Sequence, residues 1–425
     1  MPEAQIRELL AALPKCEHHM RKCSAWETRK GACREGVHKD IPQPIVSLDE
    51  HPLIVMVPQI WKVRRSDLNT INNLEHHLGG SFFSQFDEAV HRLTRYCSIG
   101  SLEPDLLFEL ARRNNISLPS DEDGAFESPK TLLQRYGRFT SLDDFLHYYF
   151  IGMSVLIDAA DFEALAWAYF QHAYKDGVIH AECFFDPQVH TSRGVDYQTV
   201  VDGFSAAQAR ASSELSITSE LIVCIMRHLP PSDGDKMFRN ALPDLKSGKI
   251  KGLGLSSTEV GNPCSLFKST YLEAESQGIL RTAHAGEEAG VDYMASALHD
   301  LHCQRIDHGI KLPQDPELMA EFVRRKILIT MCPISNVELR CVKSVKDLPI
   351  RTYLDHGVKF SINSDDPAYF GGYILDNYYA VQDAFNLSVE EWASIVTTSI
   401  EGSWCSEDRK DEMLKKLSET LARFA

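Results

Sequence analysis

The sequence predicts an α/β protein that folds as a (β/α)8 barrel, and two observations carry that prediction. From residue 100 to the C-terminus, short apolar runs alternate with amphipathic stretches, which is typical of βα units and a parallel sheet. Polar clusters also follow several of the apolar runs, and catalytic residues of such barrels lie at the C-terminal ends of the strands. The predicted strands are 178–185, 221–226, 250–255, 278–283, 304–307, 327–331 and 358–362, with an eighth expected ahead of Gly100.

The stretches between these runs have apolar residues at helical spacing. They predict helices over 162–174, 197–215, 316–325 and 388–398. A further helix is predicted to open at Leu102-Glu103-Pro104 and to continue through Arg113, because proline is favoured in the first turn of a helix.

Composition narrows the class of partner. The chain has 425 residues, of which 44% are hydrophobic, so it can bury a large core. Its formal charge of −16 argues against a nucleic-acid or anionic-membrane partner, because phosphates would be repelled. No apolar run approaches the roughly 20 residues of a spanning helix, and the first 13 residues lack a signal-peptide pattern. We therefore expect an intracellular protein of the cytoplasm, with the nucleus left open, that acts on a small uncharged or cationic molecule.

The cysteines fit that expectation. The 11 cysteines include no CxxC pair and have no regular spacing, so a disulfide scaffold is not expected in a chain of this length. We expect reduced thiols that are mostly buried.

Three polar clusters predict one shared active site. His284-Ala285-Gly286-Glu287, Arg305-Ile306-Asp307-His308-Gly309 and Ser364-Asp365-Asp366-Pro367 occur in this order, each after an apolar strand. A lone histidine is more often packed or solvated than a ligand, and Asp-Asp-Pro alone usually starts a helix. The coincidence of three such strand ends favours the functional interpretation.

The residue types in these clusters suit a metal-activated water with a proton carrier beside it. His284 and Asp365 offer an imidazole and a carboxylate from different strands, the kinds of ligand that zinc accepts. Glu287 lies close enough in sequence to move a proton without being a ligand. His308 could orient the water or take its proton, and Asp366 could hydrogen-bond a substrate.

At these residues the chain resembles the adenosine and adenine deaminase family, and within it the fungal adenine type. The strings that carry the resemblance are 282–288 (TAHAGEE), 305–309 (RIDHG), 332–337 (CPISNV) and 363–372 (NSDDPAYFGG). It covers about three quarters of the chain, from Gly100 to the C-terminus, with a short piece near residues 13–20.

The resemblance implies a TIM-like barrel of the metal-dependent hydrolase type that removes ammonia from C6 of a purine base with one zinc ion per chain. It implies zinc ligation by His284 and Asp365, proton donation by Glu287, assistance to the water by His308 and a substrate contact by Asp366. The string 254–261 (GLSSTEVG) is similar to that of adenine-type members, which carry Asp where this chain has Ser256. Adenine is therefore expected over adenosine, and modified adenines stay open.

The family's first-strand motif is interrupted here. The pattern is His-x-His followed closely by a Gly-Thr/Ser-Leu-Glu-Pro string. His19 matches the first histidine, Arg21 stands at the second, and the string resumes only at Gly100. We therefore divide the chain into residues 1–20, the start of the barrel with part of the first strand, an atypical insertion over 21–99, and the remaining barrel over 100–425. We hypothesise that the insertion is a retained intron, because it is aperiodic and its charge is opposite in sign to that of the rest.

The interruption leaves two functional alternatives, an enzyme with a weakened zinc site and a barrel that has lost its metal and its activity. A site of His19, His284 and Asp365 would bind zinc more weakly than a complete one, and Arg21 would add repulsion. The chain could then be an impaired barrel that serves as a purine-binding or interaction protein. Metal content discriminates between the two alternatives.

Overall fold

The computed structural model describes residues 93–97 and 99–422, and these form a parallel eight-stranded sheet with helices around it. The strands are hydrogen-bonded in sequence order from first to last, and every neighbouring pair is parallel. This order confirms the TIM-like (β/α)8 fold. The strands are β1 (Leu93–Cys97), β2 (His180–Phe185), β3 (Thr218–Met226), β4 (Gly252–Ser256), β5 (Leu280–Ala285), β6 (Arg305–His308), β7 (Leu328–Met331) and β8 (Phe360–Ile362).

Helices alternate with the strands along the chain. They are α1 (Pro104–Arg113), α2 (Pro129–Tyr136), α3 (Leu142–Met153), α4 (Ala159–Lys175), α5 (Gln188–Thr191), α6 (Tyr197–Leu215), α7 (Pro231–Ser247), α8 (Lys268–Ser276), α9 (Val291–His299), α10 (Pro316–Arg325), α11 (Pro333–Glu338), α12 (Ile350–His356), α13 (Pro367–Phe370), α14 (Ile374–Phe385), α15 (Val389–Glu401) and α16 (Glu407–Leu421). Each of the seven predicted strands overlaps an observed one. The predicted helices 197–215 and 316–325 have the bounds of α6 and α10.

Local sequence explains where these elements start. The carboxylate of Asp158 accepts from the backbone N–H of Asp161 and caps α4, and Asp315 caps α10 with Pro316 in its first turn. Strand β2 is buried along its whole length, as expected for a parallel strand covered on both faces. No described helix is long and apolar enough to cross a lipid bilayer.

The first strand bears on the predicted domain division. The strand expected ahead of Gly100 is β1, and it lies inside the range 21–99 that was assigned to an insertion. Residues 1–20, which were assigned to the start of the barrel, lie outside the described residues. In this structure the strand that pairs with β2 therefore comes from the end of that range, and the division at residues 20 and 99 stays a prediction.

A buried ion pair crosses the interior of the sheet. Nη1 of Arg305, on β6, donates to Oε2 of Glu182, on β2, at 2.5 Å, and both side chains are 1% exposed. The guanidinium of Arg305 stacks on the ring of Trp404 at 3.9 Å from its centroid, and the backbone N–H of Trp404 donates to Oε1 of Glu182. The pair thus connects β2 and β6 with each other and with Trp404, which follows α15.

Replacing one partner of this pair should destabilise the fold. We expect Arg305→Met to lower the free energy of unfolding by about 3–5 kcal/mol, because Glu182 is left buried without a cation. Arg305→Lys is the matched control and should lose less, since it keeps the charge. Urea unfolding followed by tryptophan fluorescence measures both, and an unchanged Arg305→Met variant would show that the pair contributes nothing net.

Candidate active site

The residues predicted from three strand ends lie together in the structure. His284 is in β5, His308 ends β6, and Asp365 follows β8. One ligand atom from each of these three residues lies within 4.8 Å of the others. Because parallel strands end at the same edge of a sheet, residues about 80 positions apart in the chain become neighbours.

Glu287 and Asp365 flank His308. Nε2 of His308 lies 3.7 Å from Oε2 of Glu287 and 3.9 Å from Oδ2 of Asp365. On its other side, Oδ2 of Asp365 accepts a 2.6 Å hydrogen bond from the Ser335 hydroxyl. The imidazole of His308 therefore lies between two carboxylates, just beyond hydrogen-bond distance of each.

The side-chain amide of Asn336 defines the tautomer of His308. Its Nδ2 lies 3.2 Å from Nδ1 of His308. When Nδ2 donates to Nδ1, the neutral ring carries its proton on Nε2, which faces Glu287 and Asp365. Burial lowers the pKa of His308, which favours this neutral form. In that form Nε2 donates a hydrogen bond to an acceptor in the site.

A buried carboxylate supports His284 from behind. Nδ1 of His284 lies 3.5 Å from Oδ2 of Asp307, which also accepts a 2.7 Å hydrogen bond from the Thr282 hydroxyl, and Oδ1 of Asp307 accepts a 2.7 Å hydrogen bond from the Thr330 hydroxyl. Burial by itself raises the pKa of Asp307, but the hydrogen bond to His284 and the charges of His284 and Arg305 hold it below its usual range. A carboxylate behind a histidine in this way is the usual support for a metal-ligating imidazole.

The pKa of His284 shows that its position favours positive charge. Burial lowers it, but the hydrogen bond to Asp307 and the charges of Asp307, Glu287 and Asp365 outweigh burial and raise the pKa to about 9. A bound cation would replace this proton, since a metal ligand must be deprotonated.

The loop that carries Glu287 is held by a different carboxylate. Glu259 is fully buried and accepts from four consecutive backbone N–H groups, those of residues 286 to 289, at 2.6 to 3.1 Å. Gly286 has φ +71°, and a Cβ there would lie 2.6 Å from Sδ of Met294. Only glycine fits both constraints. The direction of Glu287 is thus set by the turn and by Glu259.

Glu287 can hold a proton. Burial raises its pKa well above the usual range, and the negative charge of Asp365 adds to the rise. A buried carboxyl with a raised pKa is suited to general-acid chemistry.

Two of these residues have left-handed backbone. The φ of His308 is +62° and that of Asp365 is +57°, a region that side chains other than glycine rarely adopt. Such strain is found at functional sites, where the surrounding structure imposes it. Here His308 ends β6 and Asp365 follows β8 by three residues, and both side chains belong to the cluster with His284.

A cavity opens over these residues. One wall is apolar and comes from α3, with Leu142, Phe145, Leu146, Tyr149 and Phe150. The polar part of the lining contains His284, Glu287, His308, Asp365, Asp186, Ser256 and Asp366. Asp366 packs directly against Gly100, where a Cβ would lie 1.7 Å from its Oδ1. A flat ring with one apolar face and several polar edge atoms suits this lining.

The residues that could act as ligands here are of the chemical types that bind a divalent cation. Two imidazoles and one carboxylate converge where the environment favours positive charge, and these are the ligand types of zinc and similar ions. The cluster suggests a metal-dependent enzyme. The predicted ligand His19 and the cation Arg21 lie outside the described residues, so the first-strand contribution to the site stays a prediction.

Several residues of the site were not singled out by sequence reasoning. Asp186, Arg227 and Glu259 form hydrogen bonds with residues of other strands and loops. Of the three, only Glu259 lies in one of the motif strings, 254–261. Nη1 of Arg227 donates to the carbonyl of His284 at 2.6 Å and fixes the end of β5. A signal was available for Ser335 and Asn336, because both lie in the 332–337 string that follows β7.

Comparison with known proteins agrees with this geometry. The family model described as adenosine deaminase matches residues 96–420. A curated adenine deaminase of Aspergillus oryzae is 56% identical over 326 residues, which are 76% of this chain and 92% of that protein. The crystal structure of an adenine deaminase from Arthrobacter aurescens is 37% identical, with a TM-score of 0.73 over 78% of this chain and 98% of that one.

A more distant structure shows the same fold. An amidohydrolase from Burkholderia ambifaria with bound Zn is 22% identical, with a TM-score of 0.69 over 80% of this chain and 94% of that one.

The role of Glu259 can be tested by stability. We expect Glu259→Ala to lower the free energy of unfolding by about 3 kcal/mol, because four N–H groups lose a charged acceptor. Glu259→Gln keeps one oxygen and should lose about half as much. Chemical denaturation of the two variants checks this; equal stability of Glu259→Ala and the unchanged protein would mean that water replaces the carboxylate fully.

Proposed function

Since the chain belongs to the adenosine deaminase family, we propose that it catalyses the hydrolytic deamination of adenine to hypoxanthine and ammonia. The observation that carries this proposal is the convergence of His284, Glu287, His308 and Asp365 at one edge of the barrel, with a protonatable carboxyl among them. The adenine deaminases of Aspergillus oryzae and Arthrobacter aurescens support the choice of substrate.

Zinc is the metal that we propose for this site. His284 and Asp365 would hold it, with His19 as a further ligand from the interrupted motif. Bound zinc would lower the pKa of a water molecule so that it can attack an electrophilic carbon near neutral pH. The zinc in the Burkholderia ambifaria amidohydrolase, which shares the fold, is consistent with this choice.

The remaining chemistry falls to the side chains. Glu287 donates its proton to ring nitrogen N1 as water adds to C6, a role that the burial-raised pKa of its carboxyl favours. His308 orients the attacking water by donating a hydrogen bond from Nε2, and the Glu287 carboxylate, which has given its own proton to N1, accepts the water's proton as the C–O bond forms. Glu287 passes this proton to the amino group, the C–N bond breaks to release ammonia, and the proton of the C6 hydroxyl returns to Glu287 as the carbonyl of hypoxanthine forms. Asp366 fixes the ring through a hydrogen bond. We place this reaction inside the cell, in purine salvage.

Glu287 gives a direct test of this assignment. We expect Glu287→Gln to reduce kcat for ammonia release from adenine by about 10²–10⁴-fold while the metal content stays unchanged, because the amide cannot donate a catalytic proton. Glu288→Gln is the matched control, since it removes the neighbouring carboxyl. Coupled ammonia assays and metal analysis of both variants decide; equal losses in the two would contradict the role of Glu287.

The interrupted motif predicts a second result. We expect the chain as printed to release ammonia slowly, and a variant in which residues 21–99 are replaced by His-Leu-Glu to bind one zinc ion and deaminate adenine faster. The physical reason is that the replacement restores a second histidine ligand after His19. Ammonia release from adenine and adenosine and the zinc content are measured on both proteins.

Each outcome of this comparison has a definite meaning. Activity in the replaced variant alone supports an insertion foreign to the mature enzyme. Equal activity in both proteins contradicts the insertion hypothesis, because β1 would then serve as the functional first strand. Adenine binding without turnover in either protein would favour the purine-binding alternative.

A further inference from the structure

One carboxylate in the cavity has no part in the proposed chemistry. Asp186 follows β2 directly and lines the cavity with the apolar wall of α3. Its Oδ1 accepts a 2.6 Å hydrogen bond from the Ser256 hydroxyl, and its Oδ2 accepts a 2.9 Å hydrogen bond from the Tyr149 hydroxyl. The carboxylate is thus held from two sides, by the end of β4 and by α3.

The two hydroxyls do not use all of the hydrogen-bond acceptor capacity of the Asp186 carboxylate. Each carboxylate oxygen can accept two hydrogen bonds, so both oxygens of Asp186, which lines the cavity, keep acceptor capacity. Burial raises the pKa of Asp186, whereas the hydrogen bonds from Ser256 and Tyr149 and the charges of His284 and His228 stabilise its ionised form. A partly satisfied acceptor held rigidly at a cavity wall is suited to an N–H donor of a ligand.

The position of Asp186 around the sheet indicates which edge of a ligand it meets. The reacting groups come from β5, β6 and β8, whereas Asp186 and Ser256 come from β2 and β4. In adenine the amino group on C6 lies at one end of the ring system, and N3 and N9 lie at the other. With C6 at the reacting groups, the N3/N9 edge is directed to the β2–β4 side.

We propose that Asp186 accepts the N9–H of the free base and is the residue that selects adenine over adenosine. This rests on the proposed deamination of adenine and names the group that sets its specificity. Ser256 and Tyr149 are the positioning residues that aim the carboxylate.

The selectivity follows from what a nucleoside lacks. In adenosine, N9 carries the ribose carbon instead of a hydrogen, so Asp186 would lose its donor and face a bulky substituent. A site built to bind a substrate N–H rejects an analogue that lacks it far more strongly than an apolar pocket rejects an extra methyl group. 9-Methyladenine separates the two effects, because it removes the hydrogen and adds only one carbon.

The test compares ligand binding in zinc-supplemented buffer by the full chain carrying Glu287→Gln, so that adenine is bound without being consumed, and every variant below is made in this background. Calorimetric titration gives Kd for adenine and for 9-methyladenine, and we expect the second to be weaker by on the order of 10²-fold. In Asp186→Leu, which removes the acceptor and leaves a similar volume, that ratio should fall below about 5-fold, mainly through weaker adenine binding. Tyr149→Phe, which removes one positioning hydroxyl, should give an intermediate ratio. Ser257→Ala is the matched control: it deletes a cavity hydroxyl that bonds to His228 rather than to Asp186, and the ratio should stay unchanged.

The outcomes separate this proposal from the proposed function. A ratio that stays near 10²-fold in Asp186→Leu overturns the role of Asp186, whatever the enzyme does. A ratio near one in the Glu287→Gln protein with Asp186 intact overturns it as well. Absence of ammonia release by the chain with Glu287 intact, together with selective, Asp186-dependent binding of adenine, would overturn only the deaminase assignment.

Discussion

The mouth of this barrel buries more carboxylates than cations, and the rest of the site is arranged around that imbalance. Glu259, Glu287, Asp307 and Asp366 are buried there with Asp365 beside them, whereas the buried cations nearby are Arg227 and Arg305 among the described residues. Burying a charge without compensation is unfavourable, so each carboxylate needs hydrogen-bond donors, a nearby cation or a proton of its own. The differences among these solutions distinguish supporting residues from reacting ones.

The supporting carboxylates are fully compensated. Glu259 uses four backbone N–H groups, and Asp307 uses two threonine hydroxyls with His284 and Arg305 close by. Glu287 and Asp365 have fewer donors, and the charge of Asp365 is one reason why the pKa of Glu287 rises. A divalent cation held by His284 and Asp365 would compensate the remaining charge. The same electrostatic need therefore favours both a cation at this position and a protonatable carboxyl beside it.

The sequence predicted the parts of this arrangement that repeat. Alternating apolar and amphipathic runs give βα units, and strand ends of a parallel sheet must meet, so His284, His308 and Asp365 could be grouped before any coordinates. The left-handed backbone at His308 and Asp365 could not be predicted, because neither residue type is specific to that conformation. Glu259 and Asp186 were missed for a related reason: each acts on a loop or a hydroxyl from another strand, and such pairings depend on the register of the sheet. The structure also gives Ser256 a partner in Asp186, where an Asp at position 256 would face a second carboxylate.

Zinc K-edge X-ray absorption on the purified full-length chain tests the central claim most directly. The account predicts a first shell of nitrogen and oxygen only, at about 2.0–2.2 Å, with imidazole scattering that decreases in His284→Ala. A sulfur neighbour at about 2.3 Å, or zinc whose environment is unchanged in His284→Ala, would contradict a metal centre at the ends of β5 and β8.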